Sequence, residues 1–174
     1  MRKIHDAVLK ILHAIRLRHV VEIALVVLVL FGVRAWQQRD VATGPAPPLT
    51  GTMLDGSAYT LAANAGQPVL VHFWATWCSI CRLEQSSIDA LAKDARVITV
   101  AMQSGTATEV TRHLQQHELG FPVVNDPDGA IATAWGVHAV PASFIVDAAG
   151  QIRFVEVGYT TPLGLRLRLW LAGG

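Results

Sequence analysis

Hydrophobic positions along this chain fall into two regimes. Between Val20 and Val33 they are nearly continuous, "VVEIALVVLVLFGV", interrupted only by Glu22. From Pro68 onward they come in short blocks whose spacing switches between strand and helix. "PVLVHFWA" (Pro68 to Ala75) is a β-branched and aromatic run that predicts a strand buried on both faces. "CSICRLEQSSIDALAKD" follows, with Ile80, Leu83, Ile88 and Leu91 at helical spacing. "RVITVAM" (Arg96 to Met102) predicts a second buried strand, and "TATEVTRHLQQHELG" a helix capped at Thr106 and stopped at Gly120. "FPVVNDPDG" reads as a short strand ending in a turn, "AIATAWGV" as a short helix, and "ASFIVDAAGQIRFVEVG" as a β-hairpin around "DAAG". "TPLGLRLRLWLAG" predicts a closing helix that opens with Pro162 and carries Leu163, Leu167 and Trp170 on one face. The succession is an α/β layout in which helices cover a mixed sheet.

The first regime has a different meaning. Arg2, Lys3, Lys10, Arg16 and Arg18 precede the apolar run, and Arg34 and Trp36 follow it. Its strongly apolar part is shorter than the roughly 17 to 25 residues of a usual spanning helix, but interfacial Trp36 and a snorkelling Arg34 extend it. "VRAWQQRD" offers no small-x-small cleavage site, so an uncleaved anchor is expected rather than a removed signal. The reading is a basic leader over 1–19 in the cytoplasm, an anchor over 20–36, a linker over 37–50 and an outer domain over 51–174. "VATGPAPPLTG", rich in Pro, Gly and small residues, reads as the tether.

Charge agrees with this division. Up to Arg39 there are seven basic and two acidic residues, a net of +5; from Asp40 onward there are seven basic and eleven acidic, a net of −4. A mildly acidic outer domain gives no electrostatic basis for nucleic-acid binding.

Both cysteines of the chain lie in "HFWATWCSICR". The predicted elements put Cys78 at the junction of a buried strand and a helix, where unpaired N–H groups and the helix dipole favour thiolate over thiol. A cysteine so placed has its pKa lowered from about 8.5 into roughly the 3.5 to 7.5 range. Cys81, one turn on, is within bridging distance, so Cys78 can attack a partner disulfide and Cys81 can resolve the mixed disulfide. A purely structural bridge closing so short a loop restrains little of the unfolded chain. Two thiolates also fall short of the four ligands zinc takes, and no second CxxC or His/Cys pair with finger spacing is present, so no metal site is expected; Cu(I) on the two thiolates is the minor alternative. His113 and His117 share a helical face in "HLQQH" but lack the glutamate of a zincin motif, and read as a solvated face.

"VLVHFWATWCSICRLE" together with "GVHAVPASFIVDAAGQI" resembles the thioredoxin fold, a central mixed sheet flanked by helices, here behind an N-terminal membrane-anchor helix. The likeness is to the membrane-anchored, extracytoplasmic TlpA and ResA type, and "FPVVNDPDG" and "GYTTPLGLRLRLW" draw it toward the branch linked to suppression of copper sensitivity. The resemblance runs from about Leu49 to the end. It implies that Cys78 is the nucleophile, that Cys81 resolves, that Pro141 is a cis-proline beside the sulfurs, and that Glu84 helps set the redox and proton chemistry. Trp77 then lines the docking surface, and Val140's backbone is available to a substrate strand. The chain departs from the pattern at His72, which stands where thioredoxins carry a buried Asp; its imidazole either relays the proton of Cys81 or simply fills a strand position.

The resemblance also implies partners: extracytoplasmic protein disulfides as substrates, and a membrane electron donor of the DsbD or CcdA kind. No cofactor is expected beyond the Cys78/Cys81 disulfide. The dipeptide Ser79–Ile80 lacks the histidine that stabilises the thiolate of strongly oxidising relatives, which favours a reductant. The expected function is a single-pass inner-membrane thiol:disulfide reductase facing the periplasm, in copper-stress protection or cytochrome c maturation. The alternatives are a disulfide-forming oxidase or isomerase, and a non-catalytic copper carrier.

Overall fold

The computed structural model describes residues 19–29, 32–33, 41–61 and 66–173. Of the expected leader it describes only residue 19, of the expected anchor residues 20–29, 32 and 33, and of the expected linker residues 41–50; the rest of those segments lies outside the described residues. Residues 19–29 are helical, with Val20, Ile23, Leu25 and Leu28 exposed. Among the described residues no helix is long and apolar enough to cross a membrane.

The second unit begins at Asp40 and is built on one eight-stranded sheet in the order β1-β8-β7-β4-β5-β6-β2-β3. Its strands are β1 Gly44–Pro45, β2 Thr50–Met53, β3 Ala58–Thr60, β4 Val69–Trp74, β5 Val97–Met102, β6 Val123–Asp126, β7 Ala142–Val146 and β8 Gln151–Val157. The helices are α1 Ser79–Asp94, α2 Ala107–Gln116, α3 Ala130–Ala134 and α4 Pro162–Ala172. Strands β4, β5 and β6 are parallel, as strands joined through helices must be, while β7 and β8 form the antiparallel hairpin on the other side of β4. Every residue of β4, β5 and β7 is buried, which explains why their sequences are unbroken apolar runs rather than alternating ones.

Alternation along β4 sorts the core into two halves. Leu70 and Trp74 join Ile145, Ile88, Leu91, Val110, Leu165 and Leu169 on the face covered by α1, α2 and α4. Val69, Val71 and Phe73 join Phe144, Trp135, Val41 and Leu49 on the other. There Phe73, Phe144 and Trp135 pack as a triangle of tilted and edge-on rings 4.9–5.6 Å apart, a geometry that suits their quadrupoles.

Four expectations are corrected. Residues 41–50, read as tether, are part of the fold: Val41 and Leu49 are buried and Gly44–Pro45 pairs with β8. Helix α1 buries Cys81, Glu84, Gln85, Ile88 and Leu91, leaving Ile80 and Leu83 exposed. Helix α4 buries Leu165, Leu169 and Ala172, so Leu163, Leu167 and Trp170 share a face as expected, but that face is exposed. Helix α2 starts with the full Thr106–Glu109 capping box, yet ends at Gln116 with Glu118, not Gly120, in the left-handed region. The hairpin β2–β3, in "TGTMLDGSAYT", went unread in the sequence because its residues are short-run and half-exposed.

Candidate active site around the Cys78–Cys81 disulfide

Strand β4 is buried up to Ala75, and the chain then turns through Thr76 and Trp77 into α1. The turn is held from outside: Thr76 N–H donates to Ser104 Oγ (3.0 Å), and the Trp77 indole N–H donates to the Gln103 carbonyl (3.0 Å). Gln103 adopts a left-handed backbone conformation (φ 46°) unusual for a residue other than glycine, and its own N–H is fixed by the Asp126 carbonyl (2.8 Å). Trp77 is thereby pinned by its polar edge while its ring stays 60% exposed.

Cys78 is the N-cap of α1, and its sulfur accepts the Cys81 N–H at 3.1 Å. That is one of the orphan donors of the first helical turn, so the sulfur sits where the helix supplies partial positive charge. Cys78 and Cys81 form a disulfide, with Cα atoms 5.3 Å apart. Cys78 keeps a small exposure of 6%, while Cys81 is fully buried. Cys78 is thus the more accessible of the two sulfurs. The Val140–Pro141 peptide is cis, Pro141 is buried, and the Val140 carbonyl lies 3.6 Å from Cys78 Sγ. Ser79 and Ile80 are exposed beside the disulfide.

On the buried face of α1, one turn after Cys81, Glu84 forms a polar pair with His72. His72, in the middle of β4, lies between Leu70 and Trp74 in the strand's alternation and so faces α1. Its Nδ1 is 2.9 Å from Ser143 Oγ, its cross-strand neighbour on β7. Its Nε2 is 3.7 Å from Glu84 Oε1, both side chains being 1–2% exposed. The other Glu84 oxygen accepts the Thr160 N–H at 3.0 Å. Burial holds the His72 pKa down at about 3 and raises that of Glu84 to about 7, the Thr160 hydrogen bond opposing the latter. Near neutral pH the imidazole is therefore uncharged and the carboxyl is close to half-protonated.

Sequence reasoning singled out His72 and Glu84 separately; the fold brings them together. It missed Ser143, Thr160, Gln103 and Ser104, whose partners are up to 76 residues away along the chain. Only Ser143 left a signal, a polar residue two positions from Pro141 inside the apolar run "ASFIV".

His113 is corrected outright. It is buried, hydrogen-bonded to Gln85, and its ring lies tilted against Trp74 at 5.3 Å and against His117 at 4.5 Å. Its pKa is lowered, chiefly by burial and then by the His117 and Arg82 charges. Among the described residues no group of three or more His, Cys, Asp or Glu side chains is placed to hold a metal ion.

Comparison with known proteins agrees with this geometry. The profile of the AhpC/TSA family matches residues 42–155. A thioredoxin-like protein of Haemophilus influenzae is 30% identical over 158 residues, covering 90% of this chain and 94% of that one. The thiol:disulfide interchange protein DsbE of Xylella fastidiosa is 33% identical over 136 residues, covering 72% and 68% respectively. The crystal structure of a thiol:disulfide interchange protein of the thioredoxin family from Chlorobium tepidum superposes with a TM-score of 0.65 at 25% identity, covering 78% of this chain and 99% of that one.

Proposed function

Because the chain belongs to the AhpC/TSA family and carries the CxxC disulfide of a thioredoxin-like protein disulfide oxidoreductase, we propose that it works as a reductase of selected extracytoplasmic protein disulfides. In this reading residues 20–36 tether it to the inner membrane, with the catalytic domain in the periplasm, and a membrane donor of the DsbD or CcdA kind recharges it. Its context is copper-stress protection or cytochrome c maturation.

The observation that carries the direction of electron flow is the buried pair of His72 and Glu84, the latter one turn after Cys81. Strong oxidants of this fold stabilise the reduced protein by stabilising its thiolate. Here the buried neighbours are an imidazole held neutral and a carboxyl with a raised pKa. Neither supplies positive charge to a thiolate, and a carboxylate opposes one. Beyond the helix N-terminus at Cys78, these two groups add no positive charge, which supports a comparatively stable disulfide and a dithiol that is a good donor.

The reaction runs in two exchanges. The Cys78 thiolate attacks one sulfur of the substrate disulfide, forming a mixed disulfide and releasing one substrate thiolate. Cys81 then loses its proton to the His72–Glu84 pair, with ionised Glu84 as acceptor, and its thiolate attacks Cys78 Sγ. That closes Cys78–Cys81, releases the second substrate thiolate and delivers two electrons. The donor's dithiol reverses the sequence. Trp77 offers an apolar surface to the incoming chain, and the Val140 backbone pairs with the substrate strand beside Pro141.

Alkylation of thiols in cells tests this reading. The pair should stand mainly reduced when the donor is present and fully oxidised when it is removed, and Cys81→Ser should accumulate mixed disulfides through Cys78. A pair that stands oxidised in the presence of the donor contradicts it.

A further inference from the structure

We infer that Ser143 is the positioning residue that lets either nitrogen of His72 carry the ring proton, so that the imidazole accepts from Glu84 when that carboxyl is protonated and donates to it when ionised. The inference rests on the reading that Glu84 and His72 serve the proton of Cys81.

The geometry leaves His72 two polar neighbours of different character. Ser143 Oγ is 2.9 Å from Nδ1, on the adjacent antiparallel strand and in direct register. Glu84 Oε1 is 3.7 Å from Nε2, and neither of those two atoms has a hydrogen-bond partner. A small side-chain rotation of Glu84 closes that gap.

A neutral imidazole has one donor and one acceptor nitrogen, so what Nε2 offers Glu84 is fixed by what Nδ1 does. A carbonyl or carboxylate beside Nδ1 only accepts and would pin the ring as Nδ1–H. A hydroxyl can both donate and accept, so the serine permits either tautomer at equal satisfaction of Nδ1. With Glu84 protonated, its O–H donates to Nε2 and Nδ1–H donates to Ser143 Oγ. With Glu84 ionised, Nε2–H donates to Oε1 and the Ser143 O–H donates to Nδ1. The ring holds one proton throughout, and the proton lost is the carboxyl's.

The other titratable or charged groups on this face are few. Glu156 of β8 is directly opposite Ser143 and is paired with Arg168 of α4 (2.6 Å). Helix α2 contributes His113, stacked over Trp74 and near Arg82 of α1. Besides the cysteines themselves, α1 contributes Glu84, and the paired position on β5 is uncharged Thr99, whose hydroxyl is committed to Trp74 and the Pro122 carbonyl. Glu84 is thus the group whose titration His72 meets directly.

The test is nitrogen-15 NMR of the histidine rings in the full-length oxidised chain in detergent, followed from pH 5 to 9. The His72 signals are identified by their loss in His72→Gln. In the wild type the ring should be Nδ1-protonated at pH 5 and Nε2-protonated at pH 9, its midpoint coinciding with that of the Glu84 carboxyl carbon. Ser143→Thr, which keeps the hydroxyl, should retain the switch. Ser143→Ala, and Ser143→Val as the isostere of the threonine, should hold the ring Nε2-protonated throughout, because a buried N–H without an acceptor is the costlier orphan. In those variants the proton affinity of Glu84 should fall at least tenfold, since the ring is then always its donor. A wild-type ring that keeps one tautomer through the Glu84 titration, or a valine or alanine variant that switches like the wild type, overturns the inference. The readout involves no turnover, so a switching ring in a strongly oxidising protein would overturn the reductase reading and leave this one standing.

Discussion

On folding, His72 moves from its ordinary 6.5 to about 3 and Glu84 from 4.5 to about 7, each because burial disfavours its charged form. The two shifts have opposite consequences. His72, depressed, costs stability as pH falls below 6.5 toward 3, where the unfolded chain binds a proton that the folded one refuses. Glu84, raised, costs stability as pH rises from 4.5 through 7, where the folded chain keeps a proton that the unfolded one has lost. Between 4.5 and 6.5 each state holds one proton on the pair, on His72 when unfolded and on Glu84 when folded, so the slopes cancel. Because desolvation is the leading cause of each shift, removing one partner exposes the slope of the other. His72→Gln should lose roughly 3 kcal/mol of stability between pH 4.5 and 7, and Glu84→Gln should instead lose stability as pH falls below 6.5. Urea unfolding measured against pH checks both, and a flat profile for His72→Gln would contradict the raised pKa of Glu84. The sequence revealed each group, since a histidine in a buried strand and a carboxyl one turn after Cys81 stand out alone. It did not reveal the pair, because their satisfying partners, Ser143 and Thr160, arrive from 71 and 76 residues away.

Elements were legible in the sequence where composition was uniform and ambiguous where several phases fitted equally well. Strands β4, β5 and β7 are buried on both faces, and their apolar runs allow no other reading. In α4, "PLGLRLRLWLA" carries leucines on every side, so periodicity alone could not choose between Leu163/Leu167/Trp170 and Leu165/Leu169/Ala172; contact with the sheet and α1 selects the second set. In α1 the buried face is claimed by Cys81, Glu84 and Gln85 because the redox centre, not the apolar residues Ile80 and Leu83, must face inward. Leu165→Ala should therefore cost about 2–5 kcal/mol, while Trp170→Ser stays within about 0.5 kcal/mol of the wild type. Thr106→Ala, which removes the capping box of α2, should cost about 1 kcal/mol in both redox states. Thermal or urea unfolding of the three variants decides between the two faces of α4 and checks the cap.

At the scale of the molecule, the domain from Asp40 onward leaves Cys78 slightly exposed, buries Cys81 fully and places the buried Glu84–His72 pair one helical turn further on. If residues 20–36 anchor the chain, the full chain should fractionate with membranes and resist extraction by salt or alkali. Family and fold were readable through the resemblance carried by "WCSIC" and "VPASFIVD", which the AhpC/TSA match over residues 42–155 bears out. For the direction of electron flow the sequence offered only the dipeptide Ser79–Ile80, while the pairing of Glu84 with His72 needed the folded chain. The reduction potential of the Cys78/Cys81 couple, equilibrated against glutathione at pH 7, tests this most directly. The account predicts a value near that of thioredoxin, about −270 mV, and in any case below about −200 mV; a value near that of DsbA, about −120 mV, would contradict it.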